Sequence, residues 1–151
     1  MVKIILLVGP PNSGKTTWTK DFMSKNKDYV KVSRDDIRQS LFGSWVVSRH
    51  MENVITEIQN QIIETLIKNN VSLILDNTHC KMKYIQEVID NFGTNCDIIF
   101  KVFDVDEHTL HARNEYRGKI DGKYIPDIVM ENMIKNFKEL KETFQFKDIL
   151  H

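Results

Sequence analysis

The chain has 151 residues, of which 41% are hydrophobic and 28% charged, and its 21 Lys and Arg balance 21 Asp and Glu. That length suits one domain, residues 1–151, built around a single core. Zero net charge removes any argument for nucleic-acid or membrane binding from bulk charge, and so few Gly and Pro exclude a fibrous or disordered chain. Two cysteines, Cys80 and Cys96, are too sparse for a secreted disulfide scaffold and read as reduced thiols. The longest apolar run, Ile4 to Val8, falls far short of the roughly 18 residues of a membrane span. Gly9-Pro10-Pro11-Asn12 follows it where a signal peptide would need a small-residue cleavage site. The expectation is an intracellular, cytoplasmic protein.

Short apolar runs alternate with longer segments of helical period. Lys3 to Val8 reads as a strand buried on both faces, and Gly14 to about Lys25 as a helix. Tyr29 to Val32 is a second strand, and Ser33 or Asp35 can cap the helix after it. Met51, Val54, Ile55, Ile58, Ile62 and Leu66 step by threes and fours, which predicts an amphipathic helix from His50 to about Asn69. Val71 to Leu75 forms a third strand, Lys81 to Phe92 a helix stopped at Gly93, and Asp97 to Phe103 a fourth strand. A polar helix from about Glu107 to Arg117 is expected to break at Gly118, which could act as a hinge. After a connector, Pro126 fits the first turn of a last helix with Met130, Met133, Phe137, Leu140 and Phe144 as its buried stripe. Such alternation means a parallel sheet wrapped by helices, with ligands bound beyond the carboxyl ends of the strands.

The chemistry-bearing residues fall at those ends. Gly9-Pro10-Pro11-Asn12-Ser13-Gly14-Lys15-Thr16 matches G-x-x-x-x-G-K-[ST] in full, after a strand and at the opening of a helix. Gly9 and Gly14 let successive backbone N–H groups turn inward as an anion nest, and the helix adds its positive dipole end. Lys15 can reach the β- and γ-phosphates, and the Thr16 hydroxyl can ligate Mg²⁺. Asp76 ends the third strand, where an acid could hold Mg²⁺ through water or hydrogen-bond Thr16 or Asn77; a cap or turn would look the same.

Phosphoryl transfer also needs a base for the accepting hydroxyl. Asp35 and Asp36 follow the second strand, and a carboxylate there can take a proton from an attacking alcohol. Arg38 shares a helical face with Asp35 and suits an anionic part of the acceptor. Arg113 and Arg117 share a face of the helix after strand four, as a lid delivering arginines to a migrating phosphoryl group would. Capping aspartates and solvated arginines give the same spacing. These residues leave three readings open: a kinase whose acceptor carries an anionic part, a kinase of a small alcohol such as a nucleoside, sugar or antibiotic, and a nucleotide-binding regulatory ATPase. His50, His79, His108, His111 and His151 lack metal-ligand spacing. Asp104-Val105-Asp106-Glu107-His108 departs from a D-x-D-x-[TV] phosphatase motif at its last position.

Ile4-Ile5-Leu6, the P-loop through Lys15-Thr16-Thr17-Trp18, Ser33-Arg34-Asp35-Asp36, Arg38-Gln39-Ser40, Lys101 to Val105, Arg113-Asn114, Arg117-Gly118 and Pro126 resemble the kinase half of the phage polynucleotide kinase-phosphatases. The resemblance spans nearly the whole chain. It implies a P-loop kinase fold of three α/β/α layers, with a short sheet of about four parallel strands and an arginine-bearing lid helix. It implies ATP-dependent transfer of the γ-phosphate to 5′-hydroxyl ends of DNA or RNA, with Mg²⁺, in nucleic-acid end repair. Lys15, Asp35 and Arg117 fall on catalytic positions, Asp35 as base and Arg117 as transition-state arginine. Residues Gly9 to Thr17, Arg113 and Arg117 fall on the ATP side. Asp35 and Arg38 fall on the acceptor side and Thr16 on the metal; Asp76 and Thr78 are further acceptor-side candidates, and Asp76 is also a candidate for the metal. The phosphatase half is absent, so a separate ligase or phosphatase is the expected functional pairing; no membrane partner is expected, and homo-oligomerisation stays open. Leu41 to His50 departs from the family pattern, at the mouth of the acceptor site.

Overall fold

The computed structural model describes residues 1–77, 80–146 and 149–150. Four strands, β1 (Lys3–Val8), β2 (Tyr29–Val32), β3 (Ser72–Leu75) and β4 (Asp97–Val102), form one sheet in the order β2-β3-β1-β4. Every pairing is parallel: Leu6 lies opposite Leu75 on one side and Phe100 on the other. Six helices flank the sheet: α1 (Lys15–Lys25), α2 (Arg34–Phe42), α3 (Arg49–Lys68), α4 (Met82–Phe92), α5 (Glu107–Ile120) and α6 (Asp127–Thr143).

A central strand covered on both faces needs apolar side chains at every position, and β1 supplies them. Ile4, Leu6 and Val8 pack with Ile63 of α3, Ile85, Val88 and Phe92 of α4, and Phe137 and Leu140 of α6. Ile5 and Leu7 point the other way, against Trp18 and Phe22 of α1. These two cores make the α/β/α sandwich. A third cluster, Leu110 of α5 with Met130 and Ile134 of α6, holds the last two helices together.

Three expectations change. The buried face of α3 is Ile55, Gln59 and Ile63, while Ile58 and Ile62 line an open apolar groove with Val32, Ile37 and Leu41. A stripe of six apolar residues has two edges, and only one of them meets the sheet. Gly118 does not end α5, which runs two residues further to Ile120, so it is no hinge at a helix end. It is small because Tyr124 crosses it: a Cβ there would lie 3.0 Å from the Tyr124 Cβ. In α6 the inward stripe is Met130, Ile134, Phe137 and Leu140, with Met133 only partly covered.

The sheet order sets the site. β1 and β3 are neighbours, so the loop after Val8 and the acid after Leu75 open side by side. Gly9 leaves β1 where a side chain cannot fit, since a Cβ would sit 2.9 Å from Ser13 Oγ and 3.1 Å from the Phe103 carbonyl oxygen. Gly9→Ala is expected to lower unfolding stability by about 1–3 kcal/mol, read by thermal or denaturant unfolding, because it overpacks the end of the sheet.

Candidate functional site

The loop between β1 and α1 is shaped by two left-handed residues, Asn12 at φ 67° and Gly14 at φ 99°. Asn tolerates that region and Gly has no Cβ to clash. No side chain caps the start of α1, so its first N–H groups face the loop's concavity. Lys15 is buried and folds back into that concavity, donating to the carbonyl oxygens of Gly9 at 2.9 Å and Pro10 at 2.7 Å. Burial pushes its ammonium down to about 8, against the upward pull of Cys80, Asp76 and Asp35 and with a further push from Lys123. Thr16 and Thr17 are exposed at the mouth of α1.

Asp76 stands beside Lys15, and burial raises its carboxyl above the usual range. The Asn77 carboxamide, one suggested partner for Asp76, is engaged elsewhere: it accepts from Arg34 N at 3.0 Å and donates to Gln59 at 2.8 Å. Thr78, expected on the acceptor side, lies outside the described residues. Among the described residues no three His, Cys, Asp or Glu side chains cluster to hold a metal. The donor set fits Mg²⁺ all the same, since that ion takes one or two protein oxygens and completes its shell with phosphate and water. Thr16 and Asp76 are the residues that would hold it.

Both lid arginines reach the P-loop through one residue. Arg113 donates to the Asn12 carbonyl oxygen at 2.9 Å and Arg117 to its side-chain oxygen at 3.0 Å. Asn114 between them is wholly buried; its amide donates to the Ile125 carbonyl at 2.7 Å and its oxygen accepts from Ile125 N at 3.1 Å. A carboxamide that mates both backbone groups of one residue fixes the α5–α6 connector against the helix.

Ser33 caps α2, accepting from Asp36 N at 3.3 Å, which starts the helix so that Asp35 and Asp36 occupy its first turn. The two acids then diverge. Asp36 pairs outward with Lys31 at 2.9 Å. Asp35 faces the site, its Oδ1 accepting from Arg38 at 2.8 Å and its Oδ2 from Lys123 at 2.9 Å. Arg38 is held more firmly still, donating through Nε and one terminal nitrogen to the two Glu52 oxygens at 2.7 and 2.8 Å. Arg34 reaches the same carboxylate at 2.8 Å. The Arg38 bonds are the largest influence holding the Glu52 carboxyl down at about 2, and Arg34 adds to it.

Lys15, Asp35 and Asp76 lie near one another, Arg38 bonds Asp35, and Arg113 and Arg117 bond Asn12 of the P-loop. The sequence pattern alone does not show Glu52 and Lys123. Glu52 sits in the first turn of α3 and reads as an ordinary helix-start acid. Lys123 was hidden in a connector 88 residues from Asp35, and no local spacing could have found it.

A cradle with its lysine in place, an acid beside it and two arginines from a neighbouring helix make this a nucleotide-binding domain of the P-loop kinase class. Residues 4–140 match the family described as an AAA domain, AAA_33, and the chain belongs to that family. A chain of the Pnkp1/Rnl/Hen1 RNA repair complex superposes with a TM-score of 0.92 at 34% identity, over 97% of this chain and 47% of that one. L-seryl-tRNA(Sec) kinase of Methanococcus maripaludis is 30% identical over 141 residues, 89% of this chain and 52% of the relative. A gluconokinase from Sinorhizobium meliloti shares the fold at 13% identity, with a TM-score of 0.60 over 99% of this chain and 80% of its own. The chain thus spans about half the length of the first two. The kinase-domain resemblance read from the sequence stands. No helix among the described residues is long and apolar enough to cross a membrane.

Two predictions follow from the charges. Phosphate anions favour the ammonium form of Lys15, so its pKa rises on binding and a proton is taken up wherever the free group is neutral. ATP affinity should therefore hold below about pH 8 and fall as pH rises above it. Calorimetry in buffers of different ionisation enthalpy should register that uptake. Glu52→Gln should loosen Arg38 and raise the acceptor KM by about tenfold, roughly 1.4 kcal/mol, with ATP affinity unchanged. Steady-state kinetics with each substrate varied in turn separates the two effects.

Proposed function

We propose that this domain transfers the γ-phosphate of ATP to the 5′-hydroxyl end of DNA or RNA. The observation that carries the reading is Arg38. Its guanidinium lies against Asp35 and is braced by Glu52, with a side chain only 15% exposed. Three of its five N–H donors are used in those bonds, which leaves two for an anion next to the accepting hydroxyl. An uncharged small acceptor has no use for such a group, whereas an oligonucleotide carries a phosphate next to its terminal nucleoside. The likeness to a chain of an RNA repair complex supports the same reading.

In this mechanism the 5′-oxygen attacks the γ-phosphorus while the bond from that phosphorus to the β,γ-bridging oxygen breaks and ADP departs. The hydroxyl proton passes to Asp35. Lys15 exchanges the carbonyl oxygens of Gly9 and Pro10 for the β- and γ-phosphate oxygens, and Arg117 turns from Asn12 to the equatorial oxygens of the migrating group. Arg113 stays on the ATP side. Gly9 to Thr17 enclose the triphosphate. Thr16 and Asp76 would hold Mg²⁺, which when bound would supply further neutralisation of phosphate charge. A ligase or a phosphatase acting on the same ends is the functional partner this activity calls for.

A second reading has its own support: the relative from Methanococcus maripaludis is named as a kinase of L-seryl-tRNA(Sec). The deciding assay incubates the protein with γ-labelled ATP and, in parallel, 5′-hydroxyl oligonucleotides, nucleoside 3′-phosphates, nucleosides and seryl-tRNA. Label on oligonucleotides, lost upon Arg38→Ala, is the expected result. Label confined to nucleosides or to seryl-tRNA contradicts it. Asp35→Asn should retain ATP binding and lose about 10²- to 10⁴-fold in turnover, the usual contribution of a positioned base.

A further inference from the structure

The least explained contact in the site is the one that joins its two ends. Lys123 lies in the α5–α6 connector between Gly122, at φ 72°, and the Asn114-bound Ile125. Its Nζ is 2.9 Å from Asp35 Oδ2 and 4.1 Å from the centroid of the Trp45 ring, which is 42% exposed in the α2–α3 loop. It is also near enough to Lys15 to depress that ammonium. One cation therefore touches the proposed base and the mouth of the acceptor site while lying near the phosphate lysine.

Asp35 has two oxygens, and each already accepts a charge-assisted bond. A hydroxyl that is to donate to Asp35 therefore approaches a carboxylate already covered by two cations. Departure of either cation opens an oxygen of Asp35 to an entering hydroxyl. Arg38 is anchored by two further bonds to Glu52. Among the described residues Lys123 has no other salt bridge, and its ammonium can swing on a flexible four-carbon stem while the backbone behind it stays pinned. A phosphate arriving next to Asp35 competes for that ammonium directly.

We infer that Lys123 is a positioning residue that gates Asp35, holding the carboxylate while the acceptor site is empty and yielding it when a phosphate-bearing acceptor enters. This rests on Asp35 being the proton acceptor of the proposed reaction. Its consequence is protection of bound ATP. Without the gate, water can occupy the acceptor position, form a bond to the γ-phosphorus as the bond to the bridging oxygen breaks, pass its proton to Asp35 and release ADP and inorganic phosphate.

The test uses two readouts on the full chain. In the first, acceptor-free ATP hydrolysis by Lys123→Met should exceed that of the unaltered protein by about tenfold or more, within the range a freed general base supplies. Asp35→Asn in the same background should abolish the excess, and Lys123→Arg, which keeps the cation, should keep hydrolysis low. In the second, Trp18→Phe leaves Trp45 as the single indole, since the chain has two. A 5′-hydroxyl oligonucleotide added with a non-hydrolysable ATP analogue should shift Trp45 emission in the Lys123 protein and not in Lys123→Met. Hydrolysis unchanged in Lys123→Met, or an emission shift equal in both proteins, overturns the gate. Label transfer to oligonucleotides by the unaltered protein is scored separately. If it fails while the Asp35-dependent hydrolysis still rises, the acceptor assignment is wrong and the gate stands; if it succeeds while hydrolysis is unmoved, the reverse holds.

Discussion

The constraint on which this molecule turns is a lysine ammonium buried at the end of a central strand. Burial opposes its charge, and the loop's carbonyl oxygens only partly offset that cost. A triphosphate offers a far better partner. The fold keeps a cationic hole lined with donors, and the all-apolar β1 behind it cannot shift to fill it. Chain packing thus holds the loop in place while its lysine rests on the loop's own carbonyl oxygens.

Around that centre the charges are arranged in series. Glu52 fixes Arg38, Arg38 and Lys123 share Asp35, and Lys123 ties the connector after α5 to the start of α2. On the other side Arg113 and Arg117 tie the same helix to Asn12 of the P-loop. Helix α5 and its connector therefore touch both the P-loop, through two arginines, and Asp35, through one lysine.

Much of the fold was legible because the physics is local. Continuous Val, Ile and Leu runs marked strands, and the P-loop fixed the junction of β1 and α1, with Gly14 left-handed as the helix start requires. Ser33 was readable as a cap. Gly118 misled because glycine punctuates helices so often; here the small residue answers a packing demand from Tyr124, six positions on, that no periodicity encodes. Ile58 and Ile62 misled for a related reason, since a broad apolar stripe does not say which edge meets the sheet. At the site, i to i+3 spacing correctly paired Asp35 with Arg38. Glu52 and Lys123 come from other elements and meet Arg38 and Asp35 only through tertiary placement.

The most direct test of the account is a structure of the domain with a non-hydrolysable ATP analogue and a short 5′-hydroxyl oligonucleotide. The account predicts the 5′-oxygen within hydrogen-bond reach of Asp35, about 2.6–3.2 Å, in line with the γ-phosphorus, and Lys15 moved from the loop carbonyls onto phosphate oxygens. A terminal hydroxyl bound elsewhere, with Asp35 turned from the γ-group, would contradict it.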